Sequence, residues 1–138
     1  MTLQTLYDFK SFSFSNPNNL FRFDQTPFYS GEVSLDTSGF IYIPTACASG
    51  IGCHLHVAIH GCNQNQQTIG STFAEHAGYN EWAENNNVIV VYPQTIKDSK
   101  LGNPEGCWDW WGYSGKDYAL KSGRQMTFIK NIIDTLRG

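Results

Sequence analysis

The sequence predicts an α/β fold, with a mostly parallel sheet and flanking helices. The first indication is VIVVYPQ at 88–94, a nearly continuous β-branched run that is typical of a strand buried on both faces. The second is the order strand, strand, helix, strand, helix, which favours strands paired in parallel across a connecting helix. The third is size, since 138 residues with 41% hydrophobic side chains form one domain at most.

In chain order, the first predicted strand is GFIYIP at 39–44, which a proline ends. HLHVAIHG at 54–61 is the second strand, and a tight loop, CASGIGC, precedes it. One helix is predicted over 71–87, because Thr72 and Glu75 fit a capping box and apolar residues recur at helical spacing. These apolar residues are Phe73, Ala74, Ala77, Trp82 and Ala83.

The last predicted element is a C-terminal helix with one apolar face. The face comprises Met126, Ile129, Ile132, Ile133 and Leu136. Residues 1–39 mix phenylalanines with turn formers, so we expect an irregular lead-in that packs as extended segments, followed by the main unit at 40–138. An open sheet of so few strands would present unpaired edges unless other segments cover them.

Composition argues against two classes of function. The nine Lys and Arg residues form no cluster and the net charge is −3, so we expect no nucleic-acid partner. No apolar stretch approaches the roughly 20 residues of a membrane span, so we expect no membrane partner. The start, MTLQTLYDFK, lacks the basic segment and apolar core of a signal peptide.

The sequence contains four cysteines, Cys47, Cys53, Cys62 and Cys107. They suggest disulfides and an oxidising compartment, and four cysteines allow three pairings. Zinc is the alternative, because histidines crowd the same stretch. However, Cys53 points to the strand face opposite His54 and His56, and the spacing from Cys53 to Cys62 matches no common zinc site. We therefore expect neither a metal nor another cofactor.

Four motifs follow one another along the chain: HGC-x-Q at 60–64, AGYNEWA at 77–83, YPQ at 92–94 and GCWDWWGY at 106–113. In this order they closely resemble the poly(3-hydroxybutyrate) depolymerase family of α/β-hydrolase esterases. The resemblance runs from about Phe12 to the C-terminus. It implies a partial α/β-hydrolase sheet, carboxylic ester hydrolysis, and a polyester or small ester as substrate.

The resemblance also implies a Ser-His-Asp triad whose serine lies in a G-x-S-x-G elbow. This sequence has no such elbow. Its nearest approach is GYSGK at 112–116, where no β-branched strand precedes Ser114 and all four histidines lie earlier in the chain, against the order of this fold. We therefore interpret Ser114 as a loop serine and expect the chain by itself to be inactive.

The family also occurs in a circularly permuted order, in which the nucleophile half comes first. The lead-in and the C-terminal helix resemble the C-terminal portion of that permuted type. We accordingly expect the nucleophile half to be absent from this sequence and to be carried by upstream residues or by another chain.

For the site itself, the resemblance implies an oxyanion loop at 60–62. Cys62 would present its backbone N–H to developing negative charge, and Gly61 would let the backbone approach closely. The resemblance further implies the disulfides Cys47–Cys53 and Cys62–Cys107, and with them an extracellular or secretory location.

The aromatic loop has two readings. Trp108, Trp110, Trp111 and Tyr113 are the four residues concerned. They would line the substrate cleft as apolar walls, or some of them would fill the core, with alternate positions facing in and out. A chain that kept this cleft without the triad would be a non-catalytic binding module or a pseudo-enzyme. We expect His54 and His56 on a sheet face and His76 in solvent, with no triad partner for any of them.

Overall fold

The computed structural model describes residues 15–49 and 52–138; the rest of the lead-in and the middle of the CASGIGC loop lie outside these ranges. Within them the strands are β1 (Leu20–Asp24), β2 (Ser38–Tyr42), β3 (His54–Val57) and β4 (Val88–Tyr92). The α-helices are α1 (Gln66–Ile69), α2 (Thr72–His76), α3 (Tyr79–Asn86) and α4 (Arg124–Arg137). None of these helices combines the length and the apolar character that crossing a membrane requires.

The strands form one mixed sheet in the order β1-β2-β4-β3. β3 and β4 run parallel, whereas β1 with β2 and β2 with β4 run antiparallel. The prediction of a mostly parallel sheet is therefore wrong. The one parallel pair among the described strands, β3 with β4, is joined by a long crossover segment that holds α1 to α3.

The lead-in is more regular than the sequence predicts, because it contains β1. This strand pairs with β2 from Leu20 opposite Tyr42 to Asp24 opposite Ser38. The sequence analysis did not assign this strand, although Phe21, Arg22, Phe23 and Asp24 alternate apolar and polar side chains; their burial does not follow the alternation, because Phe21 is exposed. Val33, further along the lead-in, is fully buried and joins the same core as β4 and α4.

The predicted helix over 71–87 is in fact α2 and α3, separated by Gly78. Gly78 has φ 90°, a left-handed conformation that glycine adopts without steric cost and that ends a helix. The capping box expected at Thr72 is not formed, because the N-cap of α2 is Ser71 and it makes no side-chain cap hydrogen bond. The Ser71 hydroxyl instead donates to the Glu75 carboxylate at 2.7 Å.

Both faces of the sheet are covered. On one face Val90 of β4 packs with Ala74 of α2 and Ala83 of α3. On the other face Val91 of β4 packs with Phe128 of α4. Successive residues of a strand point to opposite faces, so the apolar run of β4 serves both layers, as its composition predicts.

Helix α4 buries only part of its predicted apolar face. Ile132 of that face and Phe128 are buried, but Met126 and Leu136 are 51% and 42% exposed. The apolar surface of α4 is wider than the single stripe that the sheet covers. Met126 and Ile133 therefore face an open groove beside β3.

Candidate functional site

The candidate site is the turn after the carboxyl end of β3. The Ala58 N–H still donates to a β4 carbonyl at 2.9 Å, which prolongs the parallel pairing by one residue. The chain leaves the sheet at His60, and the Gln64 N–H donates to the Gly61 carbonyl at 3.2 Å to close a four-residue turn. Asn63, third in that turn, has φ 58°, a left-handed conformation that asparagine tolerates.

Three of the four backbone N–H groups of this turn donate hydrogen bonds within the protein. The Gly61 N–H donates to Gln64 Oε1 at 2.8 Å, and the Asn63 N–H donates to the Glu105 carbonyl at 2.8 Å, in addition to the Gln64 N–H. In the part of the chain that the structure describes, the Cys62 N–H has no acceptor, and Cys62 is exposed. One backbone donor is thus left open to an anion.

Gly61 makes room for the side chain that holds this turn. A Cβ at this position would lie 3.0 Å from Gln64 Oε1, which is too close without a shift of the Gln64 amide. Its φ is not in the left-handed range. The close approach that the sequence predicts at Gly61 is therefore present, but the group that approaches is Gln64. The approach of a substrate stays a prediction.

Two disulfides are present, Cys47–Cys53 and Cys62–Cys107. They are the pairs that the family resemblance implies. The second bridge joins the candidate turn to the aromatic loop at 106–113. The side chain of Asn103 fixes the far end of this bridge, because its Oδ1 accepts from the Cys107 N–H at 2.8 Å and its Nδ2 donates to the Cys107 carbonyl at 2.9 Å.

The histidines outside the turn are His54, His56 and His76. His54 is exposed, and His56 is half-buried with its ring centroid 5.2 Å from that of Tyr79. Burial lowers the pKa of His56. His76 lies in solvent with Nε2 3.5 Å from a carboxylate oxygen of Glu75. Within residues 15–49 and 52–138, no group of three or more His, Cys, Asp or Glu side chains is placed to hold a metal ion.

The aromatic loop presents two tryptophans to solvent. Trp110 is 71% exposed and Trp111 is 41% exposed, and their ring centroids lie 5.1 Å apart in an edge-to-face arrangement. Trp108 is instead half-buried, with ring centroids 5.7 Å from His60 and 6.4 Å from Phe128. The expectation of alternate positions facing in and out is wrong, because this segment is a turn and not a strand.

Tyr113 anchors the loop from within. Its hydroxyl donates to the Cys107 carbonyl at 2.6 Å and accepts from Gln125 Nε2 of α4 at 2.7 Å. Burial raises the pKa of Tyr113 to about 12. Tyr113 therefore holds the loop together, and Trp110 and Trp111 are the exposed tryptophans of this loop.

The Asp109 carboxylate holds this turn together through hydrogen bonds. The sequence analysis did not name Asp109 as a site residue. Its Oδ1 accepts the N–H groups of Trp111, Gly112 and Tyr113 at 3.1, 2.6 and 3.2 Å. Its Oδ2 accepts the N–H of Ser114 at 2.7 Å. Burial alone would raise the pKa of Asp109, but these hydrogen bonds outweigh burial and lower it. An aspartate just ahead of a glycine-containing loop is the signal that could have found it.

Ser114 is a partner of this carboxylate and not of a base. Its hydroxyl donates to Asp109 Oδ2 at 2.6 Å, and the residue is buried. None of the four histidines, all of which lie in the described ranges, is hydrogen-bonded to it. This arrangement supports the interpretation of Ser114 as a loop serine.

We expect Asp109→Asn to loosen the aromatic loop and to cost about 2 kcal/mol of stability, since one amide oxygen cannot replace a carboxylate that accepts five hydrogens. In the wild type the stabilisation is present above the unfolded pKa of about 3.9 and is lost as pH falls through the lower folded pKa. Near-ultraviolet circular dichroism of the Trp110–Trp111 pair, recorded from pH 7 to pH 2, measures the loosening of the loop in Asp109→Asn and its loosening at low pH in the wild type. An unchanged tryptophan signal in Asp109→Asn would contradict the assignment.

An apolar groove of about 700 Å³ lies between the end of β3, the aromatic loop and α4. Its lining includes Val57, Ile59, Trp110, Met126, Ile129 and Ile133. β3 is the last strand of the sheet order, so one of its edges faces this open region. The candidate turn, the exposed tryptophans and the groove therefore share one side of the molecule.

The chain was compared with known proteins. No protein-family model matches it. A polyhydroxybutyrate depolymerase of Talaromyces funiculosus is 43% identical over 122 residues, which cover 78% of this chain and 36% of the relative. A poly(3-hydroxybutyrate) depolymerase of Delftia acidovorans is 40% identical over 118 residues, which cover 84% of this chain and 23% of the relative.

The solved structures agree as well. The crystal structure of the PHB depolymerase from Penicillium funiculosum superposes with a TM-score of 0.86 at 37% identity, covering 98% of this chain and 45% of that one. A PHB depolymerase with a serine-to-alanine substitution, complexed with an R3HB trimer, superposes with a TM-score of 0.77 at 39% identity, covering 93% of this chain and 41% of that one.

The mixed four-stranded sheet with helices on both faces defines the chain as an α/β protein, like the solved structures it resembles. It belongs to the polyhydroxybutyrate depolymerase family. The chain spans less than half the length of each of these relatives.

Proposed function

We propose that this chain supplies the oxyanion loop and the aromatic substrate wall of a polyhydroxybutyrate-depolymerase-type carboxylic ester hydrolase, and that the serine nucleophile comes from residues outside this sequence. The observation that carries the proposal is the open N–H of Cys62. It lies on an exposed turn at the carboxyl end of a parallel strand, where the other three N–H groups of the turn already have acceptors. A donor of this kind stabilises a tetrahedral oxyanion.

The proposed substrate is a polyester or a small ester. Trp110 and Trp111 would provide apolar surface for the acyl chain, and the Cys62–Cys107 disulfide keeps their loop beside the open N–H. The complex of a structural relative with an R3HB trimer supports an ester of this type. The low charge of the loop suits a neutral ester better than an ionic ligand.

The proposed partner is a segment that carries a G-x-S-x-G elbow, located upstream or in another chain. β3 is the last strand of the described sheet, so its outer edge would accept a further parallel strand, and the apolar groove would receive the side chains that such a strand and its helix present. A serine at the end of that strand would emerge next to the Cys62 turn, because parallel strands end at the same edge of a sheet.

An extracellular or secretory location fits this proposal. Both cysteine pairs are oxidised in the structure, and disulfides persist in oxidising compartments. A polymer too large to enter a cell would also have to be cleaved outside it.

We expect the isolated chain to show no turnover of p-nitrophenyl butyrate. A site without its triad retains only about 10³-fold acceleration over water, which an ordinary assay does not detect as turnover. We expect turnover on co-expression with the part of the Talaromyces funiculosus relative that the alignment leaves unmatched. Continued inactivity of the pair would contradict the proposal, and so would hydrolysis by the isolated chain that Ser114→Ala abolishes.

A non-catalytic binding module is the second candidate. The wide exposure of Trp110 on a chain that lacks the triad favours it. In that case the isolated chain would bind a polyhydroxybutyrate film, Trp110→Ala would weaken binding, and the nucleophile segment would restore no hydrolysis. The same two assays therefore separate the two candidates.

A further inference from the structure

Residues 103–107 form a fixed support beside the candidate turn. The hydroxyl of Thr95, just after β4, donates to the Gly106 carbonyl at 2.6 Å. Gly106 also lies so close to the buried Asn65 that an added Cβ would come within 2.0 Å of Asn65 Nδ2. The side chain of Glu105, which precedes this glycine, therefore projects from backbone that is held against the core.

Glu105 contacts the turn through Asn63 in two ways. The Asn63 N–H donates to the Glu105 carbonyl at 2.8 Å, and Asn63 Nδ2 donates to Glu105 Oε2. An ionised carboxylate only accepts hydrogen bonds, so the NH2 group of the Asn63 amide is the end that faces it. Glu105 is exposed, whereas Asn63 is half-buried. The Asn63 amide thus binds a carboxylate that lies at the surface directly beside the turn.

The Glu105 carboxylate is a potential competitor for the open donor of the turn. Cys62 is the chain neighbour of Asn63, and its N–H has no acceptor among the residues that the structure describes. Carboxylates are strong acceptors for backbone N–H groups, and an oxyanion would use this same donor. Without the Asn63 amide, the Glu105 side chain would be free to bind the Cys62 N–H from within the protein.

We propose that Asn63 keeps the oxyanion donor free: its amide binds the Glu105 carboxylate, which would otherwise bind the Cys62 N–H. The proposal rests on the proposed function for its effect on catalysis, but not for the pairing of Asn63 with Glu105. Asn63 is a positioning residue, because it acts through Glu105 and contacts no reacting atom. Its backbone suits this role, since the left-handed φ of 58° is one that asparagine tolerates.

A double-mutant cycle tests the proposal in the chain paired with the nucleophile segment. Asn63→Gly removes the amide and keeps the left-handed backbone, which glycine adopts freely. We expect it to lower kcat/KM by about tenfold, the effect typical of one hydrogen bond to a charged group. Glu105→Ala and the double variant Asn63→Gly/Glu105→Ala should both stay within about threefold of the wild type, because neither has a competing carboxylate. Glu32→Ala, at another exposed glutamate, is the matched control and should leave kcat/KM unchanged.

A merely structural role for the Asn63–Glu105 contact gives the opposite pattern. Glu105→Ala would then lower kcat/KM as much as Asn63→Gly does, and the double variant would be no better than either; this result would overturn the proposal.

Nitrogen-15 NMR of the isolated chain is a second readout that needs no activity. The Cys62 amide proton should move downfield in Asn63→Gly, because it gains a carboxylate acceptor, and should return in the double variant. An unmoved Cys62 resonance in Asn63→Gly would also overturn the proposal. An inactive wild-type pair would instead refute the proposed function, while the NMR result would still decide whether Asn63 keeps Glu105 from the Cys62 N–H.

Discussion

We expect the isolated chain to self-associate at micromolar concentration through the groove beside β3. Met126, Ile59 and Trp110 are all at least 47% exposed there, and β3 is the last strand in the order of the described sheet. Contiguous apolar surface of this kind marks an interaction site in a soluble protein, and an open strand edge is a template for pairing. Size-exclusion chromatography with light scattering measures the expected oligomers.

One substitution on α4 tests whether the groove is responsible. Met126→Glu should weaken self-association by about tenfold to a hundredfold, since burying a methionine contributes roughly 1.5–3 kcal/mol and each 1.4 kcal/mol is a factor of ten. Thr127→Glu is the control, because Thr127 is exposed on the same helix but lines a different cleft. Co-expression with the nucleophile segment should also yield a soluble complex.

A single outcome would reverse this interpretation. If the wild-type chain is a monodisperse monomer with a sharp cooperative melt, the groove is not a docking surface in need of a partner. The self-contained binding module would then be the better explanation of the exposed tryptophans.

We expect loss of the Cys62–Cys107 bridge to destabilise the chain about twice as much as loss of Cys47–Cys53. The bridges close rings with sequence separations of 45 and 6. Restricting the unfolded chain by rings of these lengths contributes about 4 and about 2 kcal/mol in the chain-entropy description. The Met126→Glu background is suited to this measurement, because self-association would otherwise make the apparent stability depend on concentration.

The experiment replaces each cysteine pair by serine and follows urea unfolding by tryptophan fluorescence. The Cys47–Cys53 variant serves as the control for the general effect of removing a bridge. We expect the Cys62–Cys107 variant to lose, in addition, the near-ultraviolet signal of the aromatic loop, because the bridge connects that loop to the turn. Equal losses of stability would show that unfolded-state restriction does not dominate.

The apolar periodicities alone predicted the central strand and the terminal helix. The run at 88–94 is β4, buried on both faces, and 126–136 lies within α4. Both elements bury a continuous or periodic apolar pattern, which any single sequence displays. The motifs likewise predicted the family, since HGC-x-Q and GCWDWWGY lie in the two loops that the second disulfide joins.

The apolar periodicity of the sequence could not predict strand direction or strand pairing. The alternation in β1 spans only four residues, from Phe21 to Asp24, and its pairing with β2 makes it a strand. β4 lies between β2 and β3 and runs antiparallel to β2. This arrangement depends on packing between segments that are far apart in the chain. Local sequence carries no record of which distant strand will be the neighbour.

The candidate site divides in the same way. The sequence by itself determined the residue types of the turn and the aromatic loop. Only the tertiary structure decided that Cys62 keeps an open N–H, that Asp109 gathers the aromatic loop, and that the His60 ring accepts from the Thr95 N–H. Each of these depends on a donor or acceptor from another segment, such as Glu105 for Asn63 and Thr95 for His60. Hydrogen-bond partners brought together by folding leave no periodicity in the chain, because burial and not sequence spacing selects them.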